Sequence, residues 1–223
     1  MLMTFKRFAA VVTVIIAATF AAQARYTDIL KIRRANSGIA ALRSMADGEH
    51  YTTLEGRDII RTAYADNSSR DTLYTAPFAV ASYTFSADEK MLLLAEAASV
   101  APIYRHSFTA NYLLTGATEE VTFSGVRDIT FSPDNQRLAY CKGNNLYIYS
   151  IASKQHTAIT DDGEWNKIIN GTSDWVYEEE YGFTKAYEFS PNSEEIAYLK
   201  FDESRVKEFE MMRYDNELYN KAY

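Results

Sequence analysis

Cysteine is nearly absent from this chain. Its 223 residues include one, Cys141, so no internal disulfide can form. The chain must therefore derive its stability from packing. Hydrophobic residues make up 47% of the sequence and charged residues 24%, an ordinary globular composition that is long enough for one or two packed domains. Cys141 lies in the apolar segment L-A-Y-C, and we predict that it is buried in a strand.

Clustered positive charge is also missing. The chain carries 23 Lys and Arg residues against 30 Asp and Glu residues, a formal net charge of -7, and it contains no basic run. Proteins that bind nucleic acids present a clustered basic face to the phosphate backbone. We therefore expect no nucleic-acid partner.

Several motifs that carry chemistry do not occur. No group of His, Cys and Asp residues has the spacing of metal ligands, and there is no glycine-rich phosphate loop, so we expect neither a metal nor another cofactor. The nucleophile elbow G-x-S-x-G is absent as well. Ser173, in G-T-S-D-W, lacks the final glycine and precedes an acidic stretch, which argues against a role as nucleophile. The sequence predicts no catalytic residue.

The N-terminus carries the one extended apolar run. A K-R pair precedes the apolar segment 8–20, and A-Q-A at 22–24 offers a small-residue cleavage site, an order typical of a secretory signal peptide. The apolar core of about 13 residues is shorter than the roughly 20 needed to span a bilayer, although an anchoring helix is the alternative. We predict a signal peptide at 1–24, and a mature chain from Arg25 that is periplasmic or secreted and has no stable membrane span.

The rest of the sequence contains a repeat. Three segments share an aromatic residue, a Ser-Pro-Asp type turn and a second apolar stretch, and they begin at Phe85 (F-S-A-D-E-K-M-L-L-L-A), Phe131 (F-S-P-D-N-Q-R-L-A-Y-C) and Phe189 (F-S-P-N-S-E-E-I-A-Y-L). A weaker copy, R-S-M-A-D-G-E-H-Y, begins at Arg43. Each copy predicts two strands joined by a tight turn.

The spacing of this repeat predicts a β-propeller. The turns recur at roughly 40 to 60 residues, the length of one four-stranded blade, and blades must stack to bury their faces. A β-sandwich is the alternative, but it does not require the same turn each time. We predict an all-β fold. Because about four units are visible and propellers close with roughly four to eight blades, we expect 25–223 to be the N-terminal part of a propeller.

The longest interval between turns holds the acidic stretch D-W-V-Y-E-E-E-Y-G-F, from Asp174 to Phe183. Asp174 can cap a helix and Gly182 can end it, so we predict a short inserted helix. Neighbouring helical residues point about 100° apart, so two of the three glutamates can flank a shared point. If the aromatic neighbours restrict water there, the two carboxylates require a cation between them. A solvated acidic turn is the alternative.

Two segments resemble the dipeptidyl peptidase IV family, serine exopeptidases that remove dipeptides from free N-termini. D-W-V-Y-E-E-E followed by S-P-N resembles the acidic helix of the family propeller, which implies that Glu179 and Glu180 bind the α-ammonium group of the substrate; Glu178 is not implied as a ligand. Y-R-H-S-F-T-A resembles the family segment whose arginine, here Arg105, reaches the carbonyl group of the second substrate residue from the scissile bond. His106 has no implied role, and we expect it to be structural or solvent-facing.

The resemblance covers most of the chain after the predicted signal peptide. It implies the substrate-recognition propeller of an exported peptidase that binds peptides with a free N-terminus and releases X-Pro or X-Ala dipeptides. The family's catalytic Ser, Asp and His lie in a C-terminal α/β-hydrolase domain, which this sequence lacks, so we expect the chain alone to be inactive. The resemblance also implies a homodimer for the full-length protein. The alternative is a non-enzymatic propeller of the cell envelope that binds peptides or proteins.

Overall fold

The computed structural model describes residues 41–207 and the backbone of two short paired strands, β17 (Glu210–Met211) and β18 (Lys221–Ala222). The predicted signal peptide at 1–24 lies outside these residues. Within the described part of the chain, antiparallel strands dominate and one α-helix is present, which confirms the predicted all-β class.

The first repeat forms a four-stranded antiparallel sheet. Its strands follow one another in space as in sequence: β1 (Arg43–Ser44), β2 (His50–Glu55), β3 (Asp58–Ala63) and β4 (Arg70–Thr75). A two-residue turn joins β2 to β3, and Gly56 supplies the positive φ of 68° that such a turn requires. This sheet has the strand number and order predicted for a blade.

The second and third repeats are joined by one long strand. Their strands are β5 (Val80–Phe85), β6 (Leu92–Glu96), β7 (Ala101–Pro102), β8 (Phe108–Thr115), β9 (Val121–Phe131), β10 (Arg137–Lys142), β11 (Asn145–Ser150) and β12 (Gln155–Ala158). The first half of β9 pairs with β8 and its second half pairs with β10. Gly125 and Asp128, on either side of the change of partner between Val126 and Arg127, have positive φ. The strand β9 therefore completes one four-stranded unit and begins the next.

The fourth repeat contains the insertion. Its elements are β13 (Ile168–Asn170), helix α1 (Trp175–Tyr181), β14 (Tyr187–Phe189), β15 (Ile196–Tyr198) and β16 (Lys200–Asp202). The pairs are β14 with β15 and β13 with β16. Thr172 and Lys185, on either side of α1, form a β-bridge. The helix thus protrudes from a paired stem, and the strands of this repeat form two separate two-stranded sheets instead of one four-stranded sheet.

Apolar packing connects each repeat to the next. One core cluster joins Ile59 of the first repeat to Leu94 of the second, and another joins Cys141 of the third to Tyr187 of the fourth. Full burial of a large apolar side chain contributes roughly 1.5 to 3 kcal/mol, so these contacts favour stacking of the sheets. Cys141 is 1% exposed and lies in β10, as predicted, and burial raises the pKa of its thiol.

The tight turns of successive repeats are also hydrogen-bonded to one another. In each turn, the residue that follows the repeated Asp or Asn has a positive φ. The side chain of Glu89 in the second turn accepts a hydrogen bond from the backbone N–H of Ala46 in the first, at 2.7 Å. The side chain of Asn135 in the third turn accepts one from the N–H of Ala87 in the second, at 2.8 Å. Ala46 and Ala87 occupy the same position of the repeat.

The third turn departs from this pattern at one position. Pro133 stands where Ala46 and Ala87 stand in the earlier turns, and proline has no backbone N–H to donate. The donor is instead the next residue, Asp134, whose N–H bonds to the hydroxyl oxygen of Ser193 in the fourth turn at 3.0 Å. The turn-to-turn contact is therefore retained despite the proline.

Candidate functional site

The acidic stretch forms the short helix that the sequence predicts. Oδ1 of Asp174 accepts a hydrogen bond from the backbone N–H of Tyr177 at 2.7 Å and caps the start of α1. Gly182 ends the helix in the left-handed conformation, with φ 71°, and its N–H donates to the carbonyl oxygen of Glu178 at 3.1 Å. Both ends of the helix are thus fixed by local hydrogen bonds.

The three consecutive glutamates have different environments. Glu178 is 1% exposed, the side chain of Glu179 is 23% exposed, and Glu180 is exposed. A turn of about 100° per residue separates their directions. Glu178 therefore lies on the buried face of α1, whereas Glu180 is open to solvent and Glu179 lies between these extremes.

Arg105 lies at the tip of a small hairpin formed by β7 and β8. These strands pair Pro102 with Phe108, and the N–H of Ile103 donates to the carbonyl oxygen of Ser107 at 2.9 Å across the turn. The side chain of Arg105 is 73% exposed. The hairpin thus presents a cation at its outermost point.

The structure brings Arg105 and Glu179 together. Nη1 of Arg105 lies 3.6 Å from Oε2 of Glu179. Glu180, the next residue, forms no ion pair with any residue in the described part of the chain. Exposed ion pairs contribute at most about 1 kcal/mol, so this contact can rearrange when a ligand binds. Two of the three predicted site residues are therefore in contact, and the third follows directly in the helix.

The aromatic residues around the glutamates do not enclose the site as predicted. Trp175 and Tyr181 are 57% and 70% exposed. Tyr177 is 38% exposed and packs edge-on against Phe183 and Phe201, with ring centroids 5.9 Å and 4.9 Å apart. A two-turn helix on a protruding stem contacts the described residues along one face, so its other aromatic side chains are left at the surface. The condition that aromatic neighbours restrict water around the glutamates is therefore not met at Trp175 and Tyr181.

The buried carboxylate of Glu178 contacts the Arg105 hairpin. Its Oε1 accepts hydrogen bonds from the backbone N–H groups of His106, at 2.6 Å, and Ser107, at 3.0 Å. Burial alone would raise the pKa of Glu178, but the Ser107 hydroxyl, these two N–H groups and the charge of Arg127 outweigh it, and the pKa lies below its ordinary value. No local spacing signals this contact, because 72 sequence positions separate Glu178 from His106.

A buried ion pair lies at the bend of β9. Nε of Arg127 is 2.8 Å from Oδ2 of Asp128, and their side chains are 9% and 11% exposed. Oδ1 of Asp128 accepts a hydrogen bond from the hydroxyl of Thr184 at 2.7 Å, just beyond α1. Asp128 therefore ties the bend of β9 to the stem from which the helix protrudes. Sequence analysis did not identify either charged residue.

A cavity of about 280 Å³ opens next to the Arg105 hairpin. Most of its lining residues are polar, and they include His106, Asp128 and Lys185, but none of the three predicted site residues. His106 is exposed, which agrees with the expectation of a solvent-facing side chain. The predicted site therefore lies on the surface formed by α1 and the hairpin rather than in this cavity.

Residues 41–207 and the short strands beyond them contain neither a metal-binding cluster nor a membrane-spanning helix. No three His, Cys, Asp or Glu side chains there are arranged to hold a metal ion. Among the same residues, no helix combines the length and the apolar character needed to cross a membrane. Ser173 is 1% exposed, so its hydroxyl is not accessible as a nucleophile.

One four-stranded sheet, two further four-stranded units joined by β9, stacked cores and one inserted helix define part of a β-propeller. Residues 86–223 match the family model described as the dipeptidyl peptidase IV (DPP IV) N-terminal region. The crystal structure of dipeptidyl peptidase 4 from Porphyromonas gingivalis is similar, with a TM-score of 0.72 and 33% identity over 82% of this chain and 28% of that chain. The chain therefore belongs to the dipeptidyl peptidase IV family and corresponds to its N-terminal region.

Sequence relatives lead to the same family. The chain is 32% identical over 192 residues to dipeptidyl peptidase 4 of Trichophyton equinum, covering 81% of this chain and 24% of that protein. It is 33% identical over 174 residues to dipeptidyl aminopeptidase B of Saccharomyces cerevisiae, covering 73% of this chain and 21% of that protein. The chain thus spans about a quarter of the length of these curated relatives.

Proposed function

We propose that this chain is the substrate-recognition part of the propeller of an exported serine peptidase that releases dipeptides from peptides with a free N-terminus. The observation that carries the proposal is the meeting of Arg105 with Glu179 at 3.6 Å, directly beside Glu180. The two carboxylates complement the ammonium group at the start of a peptide. The guanidinium group of Arg105 complements a carbonyl oxygen of the residues that follow.

The ammonium group supplies the positive charge that the two carboxylates need. A peptide α-amine has a reference pKa of about 7.7 to 8, and neighbouring carboxylates favour its charged form. The ammonium group binds between Glu179 and Glu180, and Arg105 donates hydrogen bonds to a carbonyl oxygen of the peptide. Arg105 already stands beside Glu179, so a small rotation of its exposed side chain is sufficient.

This arrangement fixes the position of the substrate relative to its N-terminus. Because α1 protrudes from its stem, it obstructs a peptide that extends beyond the bound ammonium group. The bond to be cleaved then lies a fixed number of residues from the N-terminus. We propose release of dipeptides ending in proline or alanine, as the family resemblance implies.

The remaining parts of the proposal concern the whole protein. We propose that 1–24 is a signal peptide, that 25–223 belongs to the propeller, and that the nucleophilic serine lies in a hydrolase domain of the same protein. Export places the enzyme in the periplasm or outside the cell, where it acts on peptides as a homodimer. No cofactor or metal takes part in this proposal.

The test is dipeptide release by the full-length protein that contains this chain. We expect it to release p-nitroaniline from Ala-Pro p-nitroanilide and to act poorly on the N-acetylated form of the same compound. Equal cleavage of the two compounds would overturn recognition of the free amine. Binding of Ala-Pro p-nitroanilide without any cleavage would instead support the alternative, a non-enzymatic propeller of the cell envelope.

A further inference from the structure

Glu178 differs from its two neighbours because its carboxylate is committed to the protein itself. It is 1% exposed, and its Oε1 accepts two backbone hydrogen bonds, at 2.6 Å and 3.0 Å. Hydrogen bonds to an ionised carboxylate are roughly twice as strong as those between neutral groups. These two bonds therefore form a firm contact between α1 and the rest of the protein.

The donors of these bonds are the two residues that follow Arg105. Ser107 also closes the turn of the hairpin, because its carbonyl oxygen accepts from the N–H of Ile103 and its Oγ accepts from the N–H of Tyr104 at 3.3 Å. A contact that fixes His106 and Ser107 thus fixes the whole turn. The nearer donor, the N–H of His106, belongs to the peptide bond between Arg105 and His106.

The exposed ion pair between Arg105 and Glu179 is too weak to set this geometry. Its atoms are 3.6 Å apart, the Arg105 side chain is 73% exposed, and solvent-exposed pairs of this kind contribute little to stability. The buried carboxylate of Glu178 makes shorter contacts to backbone groups that cannot change rotamer. The distance between hairpin and helix is therefore set by Glu178.

We infer that Glu178 is a positioning residue of the peptide site: it holds the Arg105 hairpin against α1 so that Arg105, Glu179 and Glu180 can contact one peptide N-terminus together. The inference rests on the proposed function and assigns a role to the one glutamate of the acidic motif that does not face the substrate. Glu178 acts through the backbone of the hairpin and does not contact the peptide.

The kinetic test is a double-mutant cycle in the full-length protein with Ala-Pro p-nitroanilide. Glu178→Ala removes both hydrogen bonds, and we expect kcat/KM to fall by about 10-fold to 100-fold, no further than in Arg105→Ala, because a misplacement of about 1 Å lowers the rate by up to about 100-fold. Glu178→Gln keeps an acceptor oxygen for both N–H groups and should restore part of the loss. In an Arg105→Ala background, Glu178→Ala should cause less than about a twofold further loss, because coupled residues are not additive.

A second readout does not depend on activity. In Glu178→Ala, or in Glu178→Gln at a smaller amplitude if the alanine variant does not fold, the amides of His106 and Ser107 should exchange with deuterium faster than in the parent protein. Asn135→Ala, which breaks a hydrogen bond between two distant turns, is the control and should leave these amides unchanged.

The outcomes separate the inference from the proposed function. If Arg105→Ala keeps full kcat/KM, the proposed function is overturned and the inference falls with it. If Arg105→Ala is impaired, but Glu178→Ala causes the same loss with and without Arg105, the proposed function stands and the inference is overturned. Unchanged exchange at His106 and Ser107 in both Glu178 variants would also overturn the inference.

Discussion

Nη1 of Arg105 and Oε2 of Glu179 lie 3.6 Å apart, although the hairpin and the helix that carry them belong to different repeats. The side chain of Arg105 is 73% exposed and that of Glu179 is 23% exposed, so the pair is open to solvent from the arginine side. A peptide amine bound at Glu179, as proposed, would meet a carboxylate already partly screened by a guanidinium group. In the proposed complex, the peptide ammonium group and Arg105 would compete for the carboxylate of Glu179.

Arg105→Ala in the full-length protein should lower kcat/KM for Ala-Pro p-nitroanilide by about 10-fold to 100-fold, since hydrogen bonds to a charged group are worth roughly 1.5 to 3 kcal/mol. Arg105→Lys keeps the charge but loses the planar guanidinium group, so its kcat/KM should lie between those of the parent protein and Arg105→Ala. The matched control is Arg57→Ala, at an exposed arginine in the β2–β3 turn of the first repeat. A loss of the same size in Arg57→Ala would show that the effect is not specific to the site.

Glu179→Gln and Glu180→Gln should each remove one charge from the ammonium site while preserving side-chain shape. Losing one partner of a charge pair that the bound peptide shields from water costs roughly 2 to 5 kcal/mol, which corresponds to about 30-fold to several thousand-fold in kcat/KM. Cleavage of the N-acetylated substrate should hardly change, because it has no ammonium group. Glu195→Gln, at an exposed glutamate beside β15, is the control. If all three substitutions were equally mild, the acidic stretch would be an ordinary solvated turn.

The depressed pKa of Glu178 predicts a pH-dependent stability. The ionised form is favoured in the folded protein, so its contribution is present above the ordinary carboxyl pKa of about 4.3 and is lost as the pH falls through the lower folded-state pKa. The thermal midpoint of the parent protein should exceed that of Glu178→Gln at pH 7, and the difference should shrink as the pH is lowered below 4. A difference that grew on acidification would contradict the assignment of a stabilised carboxylate.

The hydrogen bond between the second and third turns predicts a stability effect without a functional one. Asn135→Ala removes the acceptor for the N–H of Ala87, and we expect a loss of about 0.5 to 1.5 kcal/mol in the free energy of unfolding, measured by urea titration. Asn135→Asp retains an acceptor oxygen and should lose less. Because Asn135 is not part of the proposed site, kcat/KM should be unchanged in both variants, and a change in either would argue against this separation.

The N-terminal segment predicts export and cleavage. A basic start, a short apolar core and A-Q-A are features that signal peptidases recognise, so the mature protein should begin at Arg25. N-terminal sequencing of the protein recovered from the periplasm or the medium checks this directly. Recovery of a chain that still begins with Met1 would contradict it.

Local patterns in the sequence predicted the parts of the fold that local interactions determine. The turn formula predicted the repeated units, Asp174 and Gly182 predicted the bounds of the helix, and the apolar neighbours of Cys141 predicted its burial. The meeting of Arg105 with Glu179 followed from the family resemblance and not from spacing. It could not be derived otherwise, because it depends on how separate repeats stack.

The features that sequence analysis missed all depend on the three-dimensional course of the chain. The role of Glu178 depends on amides 71 and 72 positions away, and nothing in E-E-E distinguishes its first member from the others. The exposure of Trp175 and Tyr181 depends on which face of α1 contacts the propeller. The Arg127–Asp128 pair depends on the bend that joins two sheets in one strand.

The hydrogen bonds between turns give assembly of the chain a direction in time. Each backbone donor, on Ala46, Ala87 and Asp134, precedes its acceptor by 43, 48 and 59 positions. At a translation rate of roughly 5 to 20 residues per second, each donor waits about 2 to 12 seconds before the ribosome has synthesised its partner. Each of these contacts can therefore form only after the later of its two repeats has been synthesised.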